Sequence, residues 1–156
     1  VYVTFDEISP KARTWVFLAN RKLSSHEIEQ LHQRSISFVN QWTSHQQEVR
    51  GSFEILHDVV WIIAADNAYT QVGGCSTDSL LRFVQETQQL LNIDFFDRRK
   101  VLLLRNEITK ISSIDELTSI DNLDSCQILN PLVEIKEDIP KQLFLPFADS
   151  RYATLV

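Results

Sequence analysis

The chain has 156 residues, a net charge of −6, three glycines and two cysteines. A chain of this length buries roughly 70% of its extended surface as one domain, so it needs neither metal nor disulfide staples to hold a core. Cys75 and Cys126 have no CxxC spacing, which excludes zinc ribbons and thioredoxin-type motifs and points to a reducing, cytoplasmic setting.

No apolar run approaches the ~20 residues of a membrane span, and the opening VYVTFDEISP has acids where a signal peptide carries bases. Neither a membrane nor a leader is therefore expected. Residues 1–106 hold 12 acids against 11 bases, and residues 107–156 hold 9 against 4. The single basic cluster, Arg98, Arg99 and Lys100, is flanked by Asp94 and Asp97. Phosphate backbones are bound through arrays of Lys and Arg, so nucleic acid is not an expected partner.

In chain order, TWVFLA (14–19) is a run of β-formers closed by Asn20-Arg21-Lys22 and reads as a first strand. Ser24 with Glu27 forms a capping box, and Leu23 with Ile28 a hydrophobic staple, so a helix starts here. Ile28, Leu31, Ser35, Phe38, Val39 and Trp42 mark its inner face and carry it from 25 to 44. After Gly51, the segments 52–56 and 59–65 read as a hairpin turned at His57-Asp58. A second helix is predicted over 77–91, capped by Ser76 or Thr77, with Asp78 in its first turn. KVLLLRN (100–106) is a last strand, extendable to Ile111.

Strand, helix, strand, strand, helix, strand gives an α+β fold with a ferredoxin-like βαββαβ core at 12–111, in one domain spanning 1–156. Residues 112–156 form an irregular C-terminal arm, interrupted by Pro131, Pro140 and Pro146. It carries one short helix, announced by Ser113 and Glu116. VVWIIAA and VLLLR are apolar at both parities, unlike strands of a sheet with one bare face. Either the arm or a second copy of the chain, making a homodimer, must cover the other face.

GGCSTDS (73–79) is the stretch that invites chemistry: paired glycines, a thiol and hydroxyls at a helix start. As a nucleophile Cys75 needs a base, because a helix dipole alone contributes less than one unit of thiol acidity. His45, with Asp66 to orient it, is the candidate trio's remaining pair. As an anion cradle, Gly74 and Ser76 would present amides at the helix start while Arg98 supplies a counter-charge, with Asp78 and Trp42 as the remaining ligand-binding candidates. Read structurally, the stretch is a turn in which glycine supplies positive φ, followed by a cap and a small buried thiol. His26, His32, His45 and His57 share no metal-ligand spacing, so no metal or cofactor is implied. The leading expectation is a non-catalytic domain that binds a small anionic ligand or a protein partner. The alternative is a thiol-dependent enzyme or redox sensor centred on Cys75.

ARTWVF (12–17), QWTSH (41–45), GGCSTDS (73–79), DFFDRRKV (94–101) and ILNPLV (128–133) occur in an order that resembles a family of similar-sized proteins, found mainly in Bacteroidetes, labelled "ABC transporter ATPase". The resemblance implies membership and no activity. Through it Trp42, His45, Gly74, Cys75, Ser76, Asp78 and Arg98 match the family's motif positions, while Gly73 and Asn67 depart from the usual serine and glutamate. The label fails on physics: no G-x-x-x-x-G-K-[ST] loop exists to wrap phosphates, and ATP hydrolysis is rejected.

Overall fold

The computed structural model describes residues 1–155. It is an α+β protein whose described residues form two larger antiparallel sheets, a two-stranded hairpin and two long helices. Strand β1 (Arg13–Leu18) leads into helix α1 (Ser25–Gln41), followed by a small hairpin of β2 (Thr43–Ser44) and β3 (Gln47–Glu48). Strands β4 (Gly51–Leu56) and β5 (Val60–Ala65) precede helix α2 (Gly74–Leu91). A second hairpin, β6 (Lys100–Arg105) and β7 (Ile108–Ser113), is joined by β8 (Gln127–Leu129). A one-turn helix α3 (Ile139–Gln142) and strand β9 (Phe144–Pro146) follow.

The start of α1 is the box expected from sequence. Ser24 Oγ accepts from the Glu27 amide at 3.2 Å, and Glu27 Oε1 accepts from the Ser24 amide at 2.9 Å. Arg21 grips the same carboxylate with both Nη atoms, each at 2.8 Å. The helix stops at Gln41, three residues short of the sequence reading, because Trp42 turns extended (φ −70°, ψ 127°) and the chain folds into a hairpin turned by His45 and Gln46, both at positive φ.

In the first sheet, ordered β1-β5-β4, every residue of β5 is buried. Trp61 packs on Phe83 of α2 at 5.6 Å, and its cross-strand neighbours Phe17 and Ile55 share that helix-facing side. On the other face Ile8 and Ala12 close over Ala64. Leu102, Leu129, Val133 and Leu143 join the same buried cluster as the sheet. The doubly apolar strands are thus covered within the chain.

The fourth strand of the expected ferredoxin-like order behaves differently. β6 lies beside β1 but pairs with β7 and β8, in a second sheet ordered β7-β6-β8-β9. Asn106 and Glu107, both at positive φ, turn β6 into the β7 hairpin, which the sequence reading ran on as one strand. Part of the outer edge of β1 is taken by the arm: the Thr14 amide donates to Glu134 O at 2.8 Å, and the Lys136 amide to Ala12 O at 2.9 Å. The arm is therefore less irregular than its prolines imply. Its short helix forms as a 3-10 turn over Ile114–Ser119, and the bond to Glu116 comes from Ser112 Oγ in place of Ser113.

Gly51 is required by space. A Cβ there would stand 2.9 Å from Val39 Cγ1 and 3.1 Å from Ala64 O. Gly51→Ala is expected to lower stability by about 1–3 kcal/mol in thermal or urea unfolding, since the backbone carbonyl cannot move aside. A pH titration checks the cap. Bonding from Arg21, then from the Ser24 amide, lowers the Glu27 pKa to about 2. A carboxylate acid so depressed stabilises the fold above its unfolded pKa of about 4.3 and loses that contribution as pH falls toward 2. Glu27→Gln is expected to flatten stability over that window, measured by urea unfolding at successive pH values.

Candidate functional site

The start of α2 is tied down from three directions. Its first residue is Gly74, three positions earlier than expected, and Gly73 is the N-cap at φ −93°, ψ −171°, an extended conformation open to any residue. No glycine takes positive φ, so the turn reading of these glycines is corrected. Ser76, expected as the cap, is the third helical residue and reaches back: its Oγ accepts from the Gly73 amide at 3.2 Å. The earlier start moves Asp78, which is exposed, beyond the first turn, where the dipole no longer favours it.

Trp42 and Ser44 supply the other ties. The buried indole Nε1 of Trp42 donates to Ser76 O at 3.0 Å, which makes Trp42 a strut between the helices, contrary to the ligand contact expected of it. Ser44 Oγ donates to Gln71 O at 2.6 Å and accepts from Ser76 Oγ at 3.1 Å. The β2-β3 hairpin thereby brings His45 to the helix start. A Cβ on Gly73 would lie 3.3 Å from His45 Nε2, so glycine leaves the imidazole room at the helix start.

His45 and Cys75 consequently line one cleft of about 160 Å³, with Thr43, Ser44, Ser76 and Ser79 around them. Cys75 is exposed, against the buried-thiol reading. Asp66 does not join them. Its Oδ1 accepts from the amides of Ala68 (3.1 Å) and Tyr69 (3.3 Å), a local turn that spends the carboxylate on its own loop. The expected trio is a pair.

Arg98 is likewise absent from this cleft. It lines a groove of about 460 Å³ between β1 and β6, whose walls are Val16, Phe17, Leu18, Phe95, Leu102 and Leu129. Phe96 (39% exposed) and Leu132 (63% exposed) stand at its rim. Lys100 and Arg151 line it too, and among the described residues none of these three cations forms an ion pair. Its acid, Asp97, accepts from the Arg99 amide at 3.0 Å, while Arg99 itself pairs with Asp115. No family model, curated protein or solved structure matches the chain.

The sequence reading missed the groove because its residues lie far apart in the chain. Its one signal in the sequence is DFFDRRK, two phenylalanines beside the basic cluster, whose Arg98 the sequence assigned to the start of α2 instead.

Two measurements test this geometry. Trp42→Phe keeps the aromatic body and removes the N–H, and is expected to cost about 1 kcal/mol in unfolding free energy. Iodoacetamide should modify Cys75 in the native protein. Cys126 is buried, with its Sγ 2.9 Å from Arg105 Nη2, and should react only after denaturation, as read by peptide mass spectrometry.

Proposed function

We propose that the chain is a non-catalytic binding domain whose site is the groove between β1 and β6, and that it takes a partner combining negative charge with an apolar body. One observation carries this reading: in a chain of net charge −6, three cations without ion-pair partners among the described residues surround an apolar wall that has two exposed hydrophobic residues at its rim. Apolar walls with a few convergent polar groups are the usual make-up of ligand sites, and this volume lies within their range. Charge complementarity sets the sign of the partner. Arg98 keeps its expected role, in a different site from Gly74 and Ser76.

The fold presenting the groove is read as a ferredoxin-like unit whose fourth strand has been drawn into a neighbouring sheet, which opens a gap where a fourth strand would pair. Because the doubly apolar sheet is covered in cis, the partner is read as something other than the face-covering second copy that the sequence invited. The two free cysteines support a cytoplasmic setting.

A second reading, thiol chemistry at Cys75, is favoured by the cleft it shares with His45. There the Sγ proton would pass to an imidazole nitrogen.

Calorimetry with dodecanoate tests the first reading. Saturable binding is expected, weakened at least tenfold in Arg98→Glu combined with Arg151→Glu. Binding indifferent to both charges overturns it, as does the failure of both dodecanoate and the acidic peptide probe described below to bind. For the second reading, the alkylation rate of Cys75 at pH 7 is expected to fall at least fivefold in His45→Ala, and an equal rate sets thiol activation aside.

A further inference from the structure

The edge of β1 that faces the groove is pinned at both ends and open between them. Residues 13, 15 and 17 turn their backbone groups toward β5, the parity fixed by the bond from the Ala19 amide to Val59 O at 2.9 Å. Even-numbered residues therefore face outward. The Thr14 amide is taken by Glu134 O at 2.8 Å and the Asn20 amide by Asp94 O at 2.9 Å. Between them lie Val16 and Leu18, along which no strand is paired among the described residues. Across the groove, β6 meets β8 only through Leu103 and Leu104, so Lys100, Val101 and Leu102 have no paired strand on that side either.

Proteins blunt an edge of this kind with Pro, Lys or a bulge, because an apolar strand with open N–H and C=O groups templates pairing with another chain. Thr14-Trp15-Val16-Phe17-Leu18 carries none of those devices. Val16 and Leu18 both present the open edge and line the apolar groove whose cations are Arg98, Lys100 and Arg151. A fatty carboxylate would satisfy the walls and the charges but offers nothing to a strand edge. A peptide offers all three.

We infer that the groove binds an extended peptide segment with apolar residues at alternate positions and acidic residues beside them, added as a strand along Val16 and Leu18. This rests on the groove being the binding site, as proposed above. The pinned amides of Thr14 and Asn20 are roughly 20 Å apart along the strand, which limits the paired segment to a handful of residues. Main-chain bonds to Val16 and Leu18 supply register, side chains at every second position enter the groove, and acidic flanks meet the three cations.

The test uses the full chain and a synthetic probe, acetyl-EDVTVTVED-amide, fluorescently labelled and followed by polarisation. Two further probes carry N-methyl groups on alternate amides, one in each parity, keeping side chains and charge while removing one set of donors. Saturable binding is expected, with at least a tenfold loss in one of the two methylated probes. A Lys-flanked analogue should bind at least tenfold more weakly, and amide exchange at Val16 and Leu18 should slow at least tenfold in the complex. Two equally tight methylated probes, or unchanged exchange, would overturn strand addition. If dodecanoate binds and no peptide does, the groove stands and the peptide fails; if neither binds, both fall. Sedimentation showing a dimer that the probe dissociates would make the occupant a second copy, and so also overturn the proposal.

Discussion

Val60 to Ala65 has no side that water reaches, and the arrangement of the remaining chain follows from that. A strand apolar at both parities must be roofed twice, since leaving either face bare would expose a patch larger than soluble monomers usually show. Helices α1 and α2 roof one side through Leu31, Phe83 and their neighbours. The other roof is composite. Ile8 and Ala12 close over Ala64, and residues of β6, β8 and the arm join the buried cluster that holds the rest of the strand. Recruiting β6 to that duty accompanies its pairing with β7 and β8, which leaves β1 without a fourth-strand partner. Burial on one strand and an open groove on another are two aspects of the same packing.

The GGCSTDS stretch shows how a site can look chemical in sequence and prove largely architectural. Its serine, its N-capping glycine and the nearby Trp42 are absorbed in joining the end of α1 to the start of α2. What is left for chemistry in the cleft is one thiol and one imidazole, in about a third of the groove's volume.

Local signals in the sequence were reliable where their physics is local. The Ser24–Glu27 box, the His57-Asp58 turn and the apolar parity of β5 are each written in a few adjacent residues. Trp42 and Arg98 went astray because what they meet lies elsewhere in the chain, a carbonyl 34 residues on and an unpaired edge, whereas Asp66 went astray because the adjacent amides of Ala68 and Tyr69 take its carboxylate. The two-residue turn at Asn106-Glu107 escaped notice since neither residue is glycine, although asparagine at the first position tolerates the left-handed region. Of the groove only the DFFDRRK stretch was legible. Its walls come from three distant segments, and the absence of a strand leaves no pattern in a sequence.

Three hairpins here are turned by pairs of non-glycine residues in the left-handed region: His45-Gln46, His57-Asp58 and Asn106-Glu107. Each such residue carries a steric penalty of roughly 1–2 kcal/mol that glycine would not. At the last two turns the fold holds a reserve of stability that glycine could release without touching either cleft. At the first, the same replacement at His45 would withdraw the imidazole from beside Cys75. Thermal robustness and the chemistry of that cleft are therefore opposed at a single backbone position, and the identity of residue 45 in any stabilised variant would reveal which of the two had been selected.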